Sequence, residues 1–418
     1  MSTIATPSRE AAVLPLPFSP VRPLAPAIPA PTSGFAKDKR PTILHFTYSI
    51  GGGGAEAMLV NLVESLDPSR FRSVVVAVNA SPWPHAAKRL RDAGATLHDL
   101  EGEAYLQRST LARLRMVLHA ERPDVMQTWM HHADLIGATA AWCAGVRNIV
   151  WGVRATEVHR NPGDSDLKTT LYHQALRWGS KVLPSKIIAN STAAIDVHCG
   201  MGFPRSKMVW IPNGVNATRF VPDPVAREQT RASLGLDPQT PVVGFVGRFH
   251  PVKDIACFFR AAAQVQAARP DVHFVLVGGT REELYPEARE AFEQLRAPSV
   301  VRFVPFGSAT EKFYPAFDVF TLCSKSEAFP NVVLEAMACG IPSVTTDAGD
   351  CTAMLRDLGK VVPVGAAEPL AQGWLEMLSL GSDQRTALAA KCRSRAVNDY
   401  SMERAAHHFE EVYDSLTR

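Results

Sequence analysis

Residues 241–254 read PVVGFVGRFHPVKD, an apolar run that ends in a glycine turn and leads into a helix-length segment. Residues 42–56 read TILHFTYSIGGGGAE and follow the same order of strand, glycine turn and helix. Short, continuous apolar runs of this kind are typical of parallel strands that are covered on both faces. The pattern of strand, glycine turn and helix therefore begins again near residue 240. Two similar α/β domains with a cleft between them are expected.

Further β-type runs alternate with helix-length segments through both halves. In the first half, strands are predicted at residues 42–46, 73–78, 124–128, 148–152, 186–190 and 209–211. In the second half, they are predicted at residues 242–246, 273–277, 300–304, 318–322 and 342–346. The predicted division is a disordered proline-rich arm at 1–40, Rossmann-like domains at 41–220 and 221–400, and an amphipathic terminal helix at 401–418.

Composition narrows the class of protein. The 418 residues are 46% hydrophobic and 20% charged, which is typical of a soluble globular protein. The formal net charge of +3 is too small for a protein that coats nucleic acid, so no nucleic-acid partner is predicted. The seven cysteines include no Cys-x-x-Cys pair, and no apolar run approaches the ~18 residues of a membrane span. A cytoplasmic protein is expected.

Two turns at strand ends could hold a phosphate. The glycines at 51–54 let backbone amides approach a ligand at a helix start, although a tight turn without a ligand is an equal alternative. Glu56 breaks the Gly-x-Gly-x-x-Gly spacing of dinucleotide sites. Arg248 and Lys253 bracket the second turn, where two cations suit a pyrophosphate. The alternative is that both are solvated surface residues.

The segment 324–340 is the most informative for function. Pro330 suits the first turn of a helix, which places Glu327 in the preceding loop and Glu335 on a largely apolar helix. A charged carboxylate on such a helix costs several kcal/mol unless a partner binds it. The vicinal hydroxyls of a ribose or hexose are suitable partners, and an internal ion pair to an arginine is the alternative.

Metal signals are weak. His131 and His132 follow the predicted strand at 124–128 with no further ligand at metal-site spacing, so one of them is better suited to donate to a sugar oxygen or phosphate. Asp164 and Asp166 lie in a Gly/Asp-rich loop and are predicted to be a solvated turn. No metal ion and no other cofactor is expected.

The segment from Glu327 through Gly340 resembles the motif of retaining nucleotide-sugar glycosyltransferases of family 4. The resemblance extends through residues 53–56, 211–215, 247–253 and 346–349 and covers most of residues 42–400. It implies a GT-B fold, in which two Rossmann-like domains face each other across a cleft and the final helix crosses back to the first domain. It also implies that the second domain holds the nucleotide-sugar donor and that no divalent metal is needed.

The resemblance assigns roles residue by residue. Arg248 and Lys253 would neutralise the diphosphate leaving group, Glu327 would contact the donor sugar, and Glu335 would bind the ribose hydroxyls. With His132 in a sugar-facing role, the predicted catalytic residues are Arg248, Lys253, Glu327 and His132. The predicted donor-binding residues are Gly53, Gly54, Asn213, Gly247, Phe329, Pro330, Asn331 and Glu335.

The sequence also departs from the family pattern. Many relatives have a His-x-His motif where this chain has Gln127 and Trp129, and His132 matches a further histidine of some branches. Many have a glutamate where this chain has Ala353, and Asp350 is predicted to substitute for it in part.

The segments around 127–129 and 150–154 resemble a bacterial branch that builds surface polysaccharides on lipid-linked acceptors. That branch implies a peripheral contact with the inner membrane, for which residues 105–119 offer arginines between leucines. The predicted function is transfer of a hexose from a UDP- or GDP-sugar to a glycan or lipid-linked glycan. The alternatives are a non-catalytic sugar-nucleotide-binding partner subunit and, less favoured by the glutamate pair, a GT-B epimerase.

Overall fold

A computed structural model describes residues 39–156, 165–307 and 309–418. Residues 40–418 form one compact unit. The predicted proline-rich arm falls on residues 1–38, outside the described residues, apart from its last two positions. The first of the two aspartates that were predicted to lie in a solvated turn, Asp164, also lies outside them.

The first half of the described chain forms a parallel sheet of seven strands in the order β3-β2-β1-β4-β5-β6-β7. The strands are β1 (Thr42–Thr47), β2 (Arg72–Ala77), β3 (Thr96–Asp99), β4 (Val125–Thr128), β5 (Ile149–Val153), β6 (Lys186–Ala189) and β7 (Met208–Trp210). The helices are α1 (Gly54–Ser65), α2 (Pro84–Asp92), α3 (Arg108–Glu121), α4 (Ala138–Cys143), α5 (Asp166–Val182) and α6 (Thr192–Gly200).

The second half forms a parallel sheet of six strands in the order β10-β9-β8-β11-β12-β13. The strands are β8 (Val242–Val246), β9 (His273–Val277), β10 (Val301–Val304), β11 (Val319–Leu322), β12 (Ser343–Thr346) and β13 (Gly359–Val362). The helices are α7 (Pro224–Ser233), α8 (Ile255–Ala268), α9 (Pro286–Glu293), α10 (Asn331–Ala338), α11 (Cys351–Leu355), α12 (Ala367–Leu378), α13 (Ser382–Tyr400) and α14 (Met402–Thr417).

Each sheet reverses its strand order once. In the first sheet the reversal lies between β1 and β4, and in the second it lies between β8 and β11. Ligands of open parallel sheets bind at the carboxyl ends of the strands that flank such a reversal. The loops that follow these four strands therefore form the expected site, and they contain the glycine turn, His132, Lys253 and Glu327.

The last helix returns to the first domain. Met402, Phe409 and Tyr413 of α14 are buried in the same apolar cluster as Ile43 of β1 and Leu59 of α1. Ion pairs join Arg70 to Glu410 and, at 2.8 Å, to Asp414. This confirms the two-domain GT-B architecture with a helix that crosses back.

Two strands were not predicted, and each lies at one edge of its sheet, whereas the strands at the opposite edges, β7 and β10, were predicted. β3 (TLHD) and β13 (GKVV) contain polar residues or a glycine, because an edge strand is covered by fewer neighbours than a central one. The central strands are mostly buried, and they begin and end within a residue or two of their predicted bounds. Within the described residues, none of the helices is both long enough and apolar enough to cross a bilayer.

Candidate active site

The loops after β8 and β11 place Lys253 against Glu327. The Nζ of Lys253 lies 2.5 Å from Oε1 of Glu327, and the Ser324 hydroxyl donates to the same oxygen over 2.6 Å. The side chains are 25% and 14% exposed, so this pair is half-buried but open to the cleft. Two residues that are 74 positions apart in sequence thus form one charged group at the switch point of the second sheet.

The position of Lys253 is fixed by its backbone. Residues 251–253 form a single 3-10 turn, and the turn is tied to the end of β11 because the Lys325 amide donates to the Val252 carbonyl over 2.7 Å. The thiol of Cys323 lies 3.1 Å from the Lys253 carbonyl. The backbone just after β8 approaches the end of β9 closely because Gly278 has no side chain: a Cβ there would lie 2.2 Å from the Gly247 carbonyl oxygen.

The glycine turn after β1 leaves room for side chains. A Cβ on Gly51 would lie 2.4 Å from Cδ2 of Trp83, and one on Gly52 would lie 2.9 Å from Cζ2 of the same ring. A Cβ on Gly53 would lie 2.5 Å from Oε2 of Glu56. The absence of these Cβ atoms therefore lets an indole and a carboxylate pack against the turn, and the predicted donor contact of Gly53 stays a prediction.

Glu56 lies in the first turn of α1 and faces the charge of Arg248. Burial raises the pKa of Glu56, and its backbone hydrogen bond and the guanidinium of Arg248 oppose that rise only in part. Arg248 itself is exposed at the end of β8. From the sequence, Glu56 was noted only as part of a motif and was given no role. An acidic residue directly after a glycine turn could have indicated a functional residue.

Glu335 meets a tyrosine rather than an arginine. Its Oε2 accepts a hydrogen bond of 2.5 Å from the hydroxyl of Tyr314, a residue that is fully buried. Burial raises the pKa of Glu335, while the Tyr314 hydroxyl and the charge of Arg219 act in the opposite direction. The ion pair that was the alternative for this carboxylate is therefore not what stabilises it.

Helix α10 begins next to Glu327. Pro330 is the residue just before the helix rather than in its first turn, and its carbonyl accepts the first hydrogen bond, from Val333 over 3.1 Å. The ring of Phe329 is buried against Tyr400. The first amides of α10 come directly after the loop that contains Glu327, and a helix start is a favourable position for an electronegative group.

A chain of hydrogen bonds connects α10 to the first domain. Asn331 donates from Nδ2 to the Gly54 carbonyl over 3.2 Å and accepts from Nδ2 of Asn213 over 2.7 Å. Asn213 in turn accepts from Nη1 of Arg154 over 2.6 Å. Asn213 and Asn331 thus join the two domains across the cleft, a role that the sequence did not predict.

His132 is held between two tyrosine rings. Its ring centroid lies 6.0 Å from that of Tyr105 and 5.1 Å from that of Tyr172, and the ring planes are 9° and 22° apart. Met130, two residues before His132, has a φ of 73°, which is uncommon for a residue with a side chain. The imidazole is therefore fixed at the carboxyl end of β4, next to the cleft.

Gln127 and Trp129 do not face the cleft. Trp129 is buried under α14, where its ring stacks on Phe409 at 6.3 Å, and its indole N–H donates to Nδ1 of His45 over 3.4 Å. Gln127 is the register partner of His45 in the neighbouring strand. In this chain Trp129, one of the two residues that replace the His-x-His motif, therefore packs against the crossover helix. The sugar-facing role of His132 stays a prediction.

Asp350 contacts the first domain. Its two oxygens accept hydrogen bonds from the Thr192 amide (2.9 Å), the Thr192 hydroxyl (2.9 Å) and the Ala193 amide (3.3 Å), at the start of α6. The side chain is buried. In this structure the Asp350 carboxylate is bound to the helix start of the other domain, and its substitution for the missing glutamate stays a prediction.

Among residues 39–156, 165–307 and 309–418, no group of three or more His, Cys, Asp or Glu side chains is arranged to hold a metal ion. The cleft instead combines two cations, two carboxylates and a helix start. Such a set can hold a diphosphate by its charge and a polyol by its hydroxyl groups.

Comparisons with known proteins agree with this geometry. The family described as "Glycosyltransferase Family 4" matches residues 52–219, and the one described as "Glycosyl transferases group 1" matches residues 240–379. The EpsF protein of Bacillus subtilis, described as a glycosyltransferase, is 26% identical over 81% of this chain and 86% of its own length. The D-inositol 3-phosphate glycosyltransferase of Rhodococcus erythropolis is 32% identical over 54% of this chain, which spans about half (53%) of that relative.

Solved structures show the same fold. The HepE protein of Anabaena in complex with UDP superposes with a TM-score of 0.76 over 90% of this chain and 100% of its own, at 20% identity. WaaG, a glycosyltransferase involved in lipopolysaccharide biosynthesis, superposes with a TM-score of 0.68 over 90% of this chain and 99% of its own, at 17% identity.

Proposed function

Because this chain belongs to glycosyltransferase family 4, we propose that it transfers a hexose from a UDP- or GDP-sugar to a glycan or lipid-linked glycan, with retention of configuration. The observation that carries this proposal is the pair of Lys253 and Glu327 at the switch point of the second sheet, with Arg248 at the preceding strand end. The structure of HepE holds UDP, and in another crystal UDP-glucose, on the same fold.

The proposed chemistry needs positioning and charge rather than a protein nucleophile. Arg248 and Lys253 bind the diphosphate and stabilise the negative charge that grows on it as the C1–O bond to the sugar breaks. The acceptor oxygen forms its bond to C1 on the same face, and its proton passes to the departing phosphate oxygen. With two cations on the diphosphate, we propose that neither a divalent metal nor another cofactor is needed.

The remaining site residues hold the donor. When a diphosphate binds, it competes with Glu327 for Lys253, which frees the Glu327 carboxylate for the hydroxyls of the sugar. Glu335 can accept from the vicinal hydroxyls of the ribose, at about 1.5 to 3 kcal/mol for each charge-assisted hydrogen bond. The Gly247 turn follows β8 and the start of α10 follows β11, and these two strands flank the switch point of the second sheet.

Nucleotide binding tests the proposal. UDP, GDP, ADP and their hexose conjugates are each added to the protein in magnesium and in EDTA, and the melting temperature is measured. We expect one nucleotide to raise the melting temperature equally in both media, because a ligand of the native state stabilises it by mass action. Glu335→Gln should weaken the binding of that nucleotide about tenfold or more, because a charge-assisted pair of hydrogen bonds is lost.

The matched control is Glu287→Gln, an exposed glutamate on α9. It should bind like the wild type. No stabilisation by any of the six ligands would contradict the donor assignment, and stabilisation that requires magnesium would contradict the metal-free chemistry.

For the acceptor side, we propose a peripheral contact with the cytoplasmic face of a membrane through α5. Four apolar side chains on this helix are strongly exposed: Leu167, Leu171, Trp178 and Val182. Their spacing places them within one face of the helix over a length of about 22 Å. Lys168, Arg177 and Lys181 flank this face, and the Lys181 ammonium lies 4.6 Å from the Trp178 ring centroid. An apolar face between cations suits an anionic bilayer surface.

The surface that was predicted from residues 105–119 is less suitable. Leu114 and Leu118 of α3 are buried against the sheet, and Arg113 donates to the Leu100 carbonyl. Only Leu106 and Met116 of that stretch are large exposed apolar side chains.

Liposome co-sedimentation tests the α5 contact. The double variant Leu171→Glu with Trp178→Glu should bind vesicles of phosphatidylcholine and phosphatidylglycerol at least about tenfold more weakly, because two apolar contacts are lost and two negative charges are added. Val225→Glu, an exposed apolar residue of the second domain, is the matched control and should bind like the wild type. Equal sedimentation of the double variant and the wild type would contradict this contact.

A further inference from the structure

Four aromatic rings form a continuous strip along the carboxyl edge of the first sheet. Successive ring centroids lie 5.5 Å apart from Tyr48 to Tyr105, 6.0 Å from Tyr105 to His132 and 5.1 Å from His132 to Tyr172. Each ring comes from a different segment: the loop after β1, the loop before α3, the loop after β4, and α5. The strip therefore exists only in the folded domain, on the side of the cleft opposite the diphosphate-binding turn.

The strip is not part of an apolar core. Tyr48 is 41% exposed, and the other three rings are partly exposed. Buried hydroxyls lie beside it: neither the Tyr172 hydroxyl nor that of Thr169, one turn earlier on α5, has a hydrogen-bond partner in the part of the chain that the structure describes. Because nearly all buried polar groups in native proteins are paired, these two hydroxyls are positioned for a ligand or for water that a ligand displaces.

Two acidic groups lie near the strip, Asp134 and Glu56, and an arginine acts on each of them: Arg154 on Asp134 and Arg248 on Glu56. The carboxyl groups that act on the Tyr105 hydroxyl are those of Asp134 and Glu56, and Asp134 also acts on Tyr172. Burial raises the pKa of Asp134 to about 7, and burial also raises the pKa of Glu56. Whatever their protonation state, these groups are neutral or negative. Asp134 is fully buried and accepts from the Thr128 hydroxyl and the Gly152 amide, so it acts on a ligand only through its charge. When they are ionised, both carboxylates repel a phosphate.

We propose that Tyr48, Tyr105, His132 and Tyr172 form the acceptor subsite and that it binds an uncharged pyranose ring rather than a phosphorylated polyol. The inference rests on the proposed glycosyltransferase function and adds the residues that hold its glycan acceptor. The flat aromatic faces are electron-rich and fit the C–H face of a pyranose, while the sugar hydroxyls reach Thr169 and the Tyr172 hydroxyl. An inositol phosphate would need a cation here, as the diphosphate has in Arg248 and Lys253.

Titration calorimetry on the full chain, saturated with UDP, tests the proposal. The probes are methyl β-D-glucopyranoside, methyl β-D-galactopyranoside and D-inositol 3-phosphate. We expect at least one glycoside to bind more tightly than the inositol phosphate. Tyr105→Ala and Tyr172→Ala should each weaken glycoside binding about three- to tenfold, because each removes one ring contact.

Three further measurements separate the subsite from general damage to the fold. Tyr172→Phe keeps the ring and loses only the hydroxyl, so it should lower the affinity for the glycoside less than Tyr172→Ala does. Phe306→Ala removes an exposed ring of the second domain and should change nothing. The affinity for UDP should stay at the wild-type value in all four variants.

Several results would overturn the subsite: tighter binding of the inositol phosphate, no binding of either glycoside, or alanine variants that bind glycosides like the wild type while UDP binding is kept. Failure of the wild type to bind UDP would contradict the donor assignment instead. The glycoside titration without nucleotide then still decides whether the aromatic strip binds a sugar.

Discussion

Replacement of Lys253 by alanine is expected to lower kcat by about 100- to 1,000-fold, since one preorganised charge on a transition state is typically worth that much. The melting temperature should change little. The Lys253 side chain is 25% exposed, and its partner Glu327 keeps a hydrogen bond from Ser324. A partly exposed ion pair contributes little to folding, so the loss should appear in turnover rather than in stability.

The variant Lys253→Arg should recover part of the activity, because the charge is kept while the geometry changes from a point charge to a planar fork. Lys325→Ala is the matched control, since Lys325 is exposed and lies at the end of β11, next to the same turn. Steady-state turnover of the identified donor, with its hydrolysis measured in parallel, gives kcat. A value for Lys253→Ala within about threefold of the wild type would remove Lys253 from the chemistry.

The sequence could predict the central strands and the polar residues that follow them. Val242–Val246 and His273–Val277 are matched residue for residue, because parallel strands that are buried on both faces are continuous apolar runs. The same logic fails at the edges, where β3 and β13 carry polar residues or glycine. The edge strands β7 and β10 were still predicted, because they consist of mostly apolar residues.

The contacts between distant segments could not be predicted from the sequence. Lys253 and Glu327 were both predicted as functional, but their ion pair depends on the order in which β8 and β11 are placed in the sheet. The aromatic strip is assembled from four segments. Trp129 was identified only as a departure from the His-x-His motif, whereas in the structure it packs under α14. In each case the local residue type was informative, whereas its partner was set by topology.

The second large effect is expected at Asp350, whose carboxylate joins the second domain to the start of α6. Asp350→Ala should lower kcat/KM for the donor by about 10- to 100-fold. The variant loses three hydrogen bonds at a helix N-terminus, where a negative charge is favoured. Without them, the conformation in which both domains face the donor is less populated. The apparent affinity for the donor falls in proportion to the population of that conformation.

Three comparisons make this test specific to the domain contact. Asp350→Asn keeps one acceptor oxygen without the charge and should lie between Asp350→Ala and the wild type. Asp347→Ala is the matched control, because Asp347 accepts from Thr352 within its own domain, at 2.8 Å. Hydrogen exchange of the α6 amides in the UDP-bound protein should rise in Asp350→Ala and not in Asp347→Ala. If the Asp350→Ala protein keeps both its kinetics and its α6 protection, the contact does not stabilise the closed cleft.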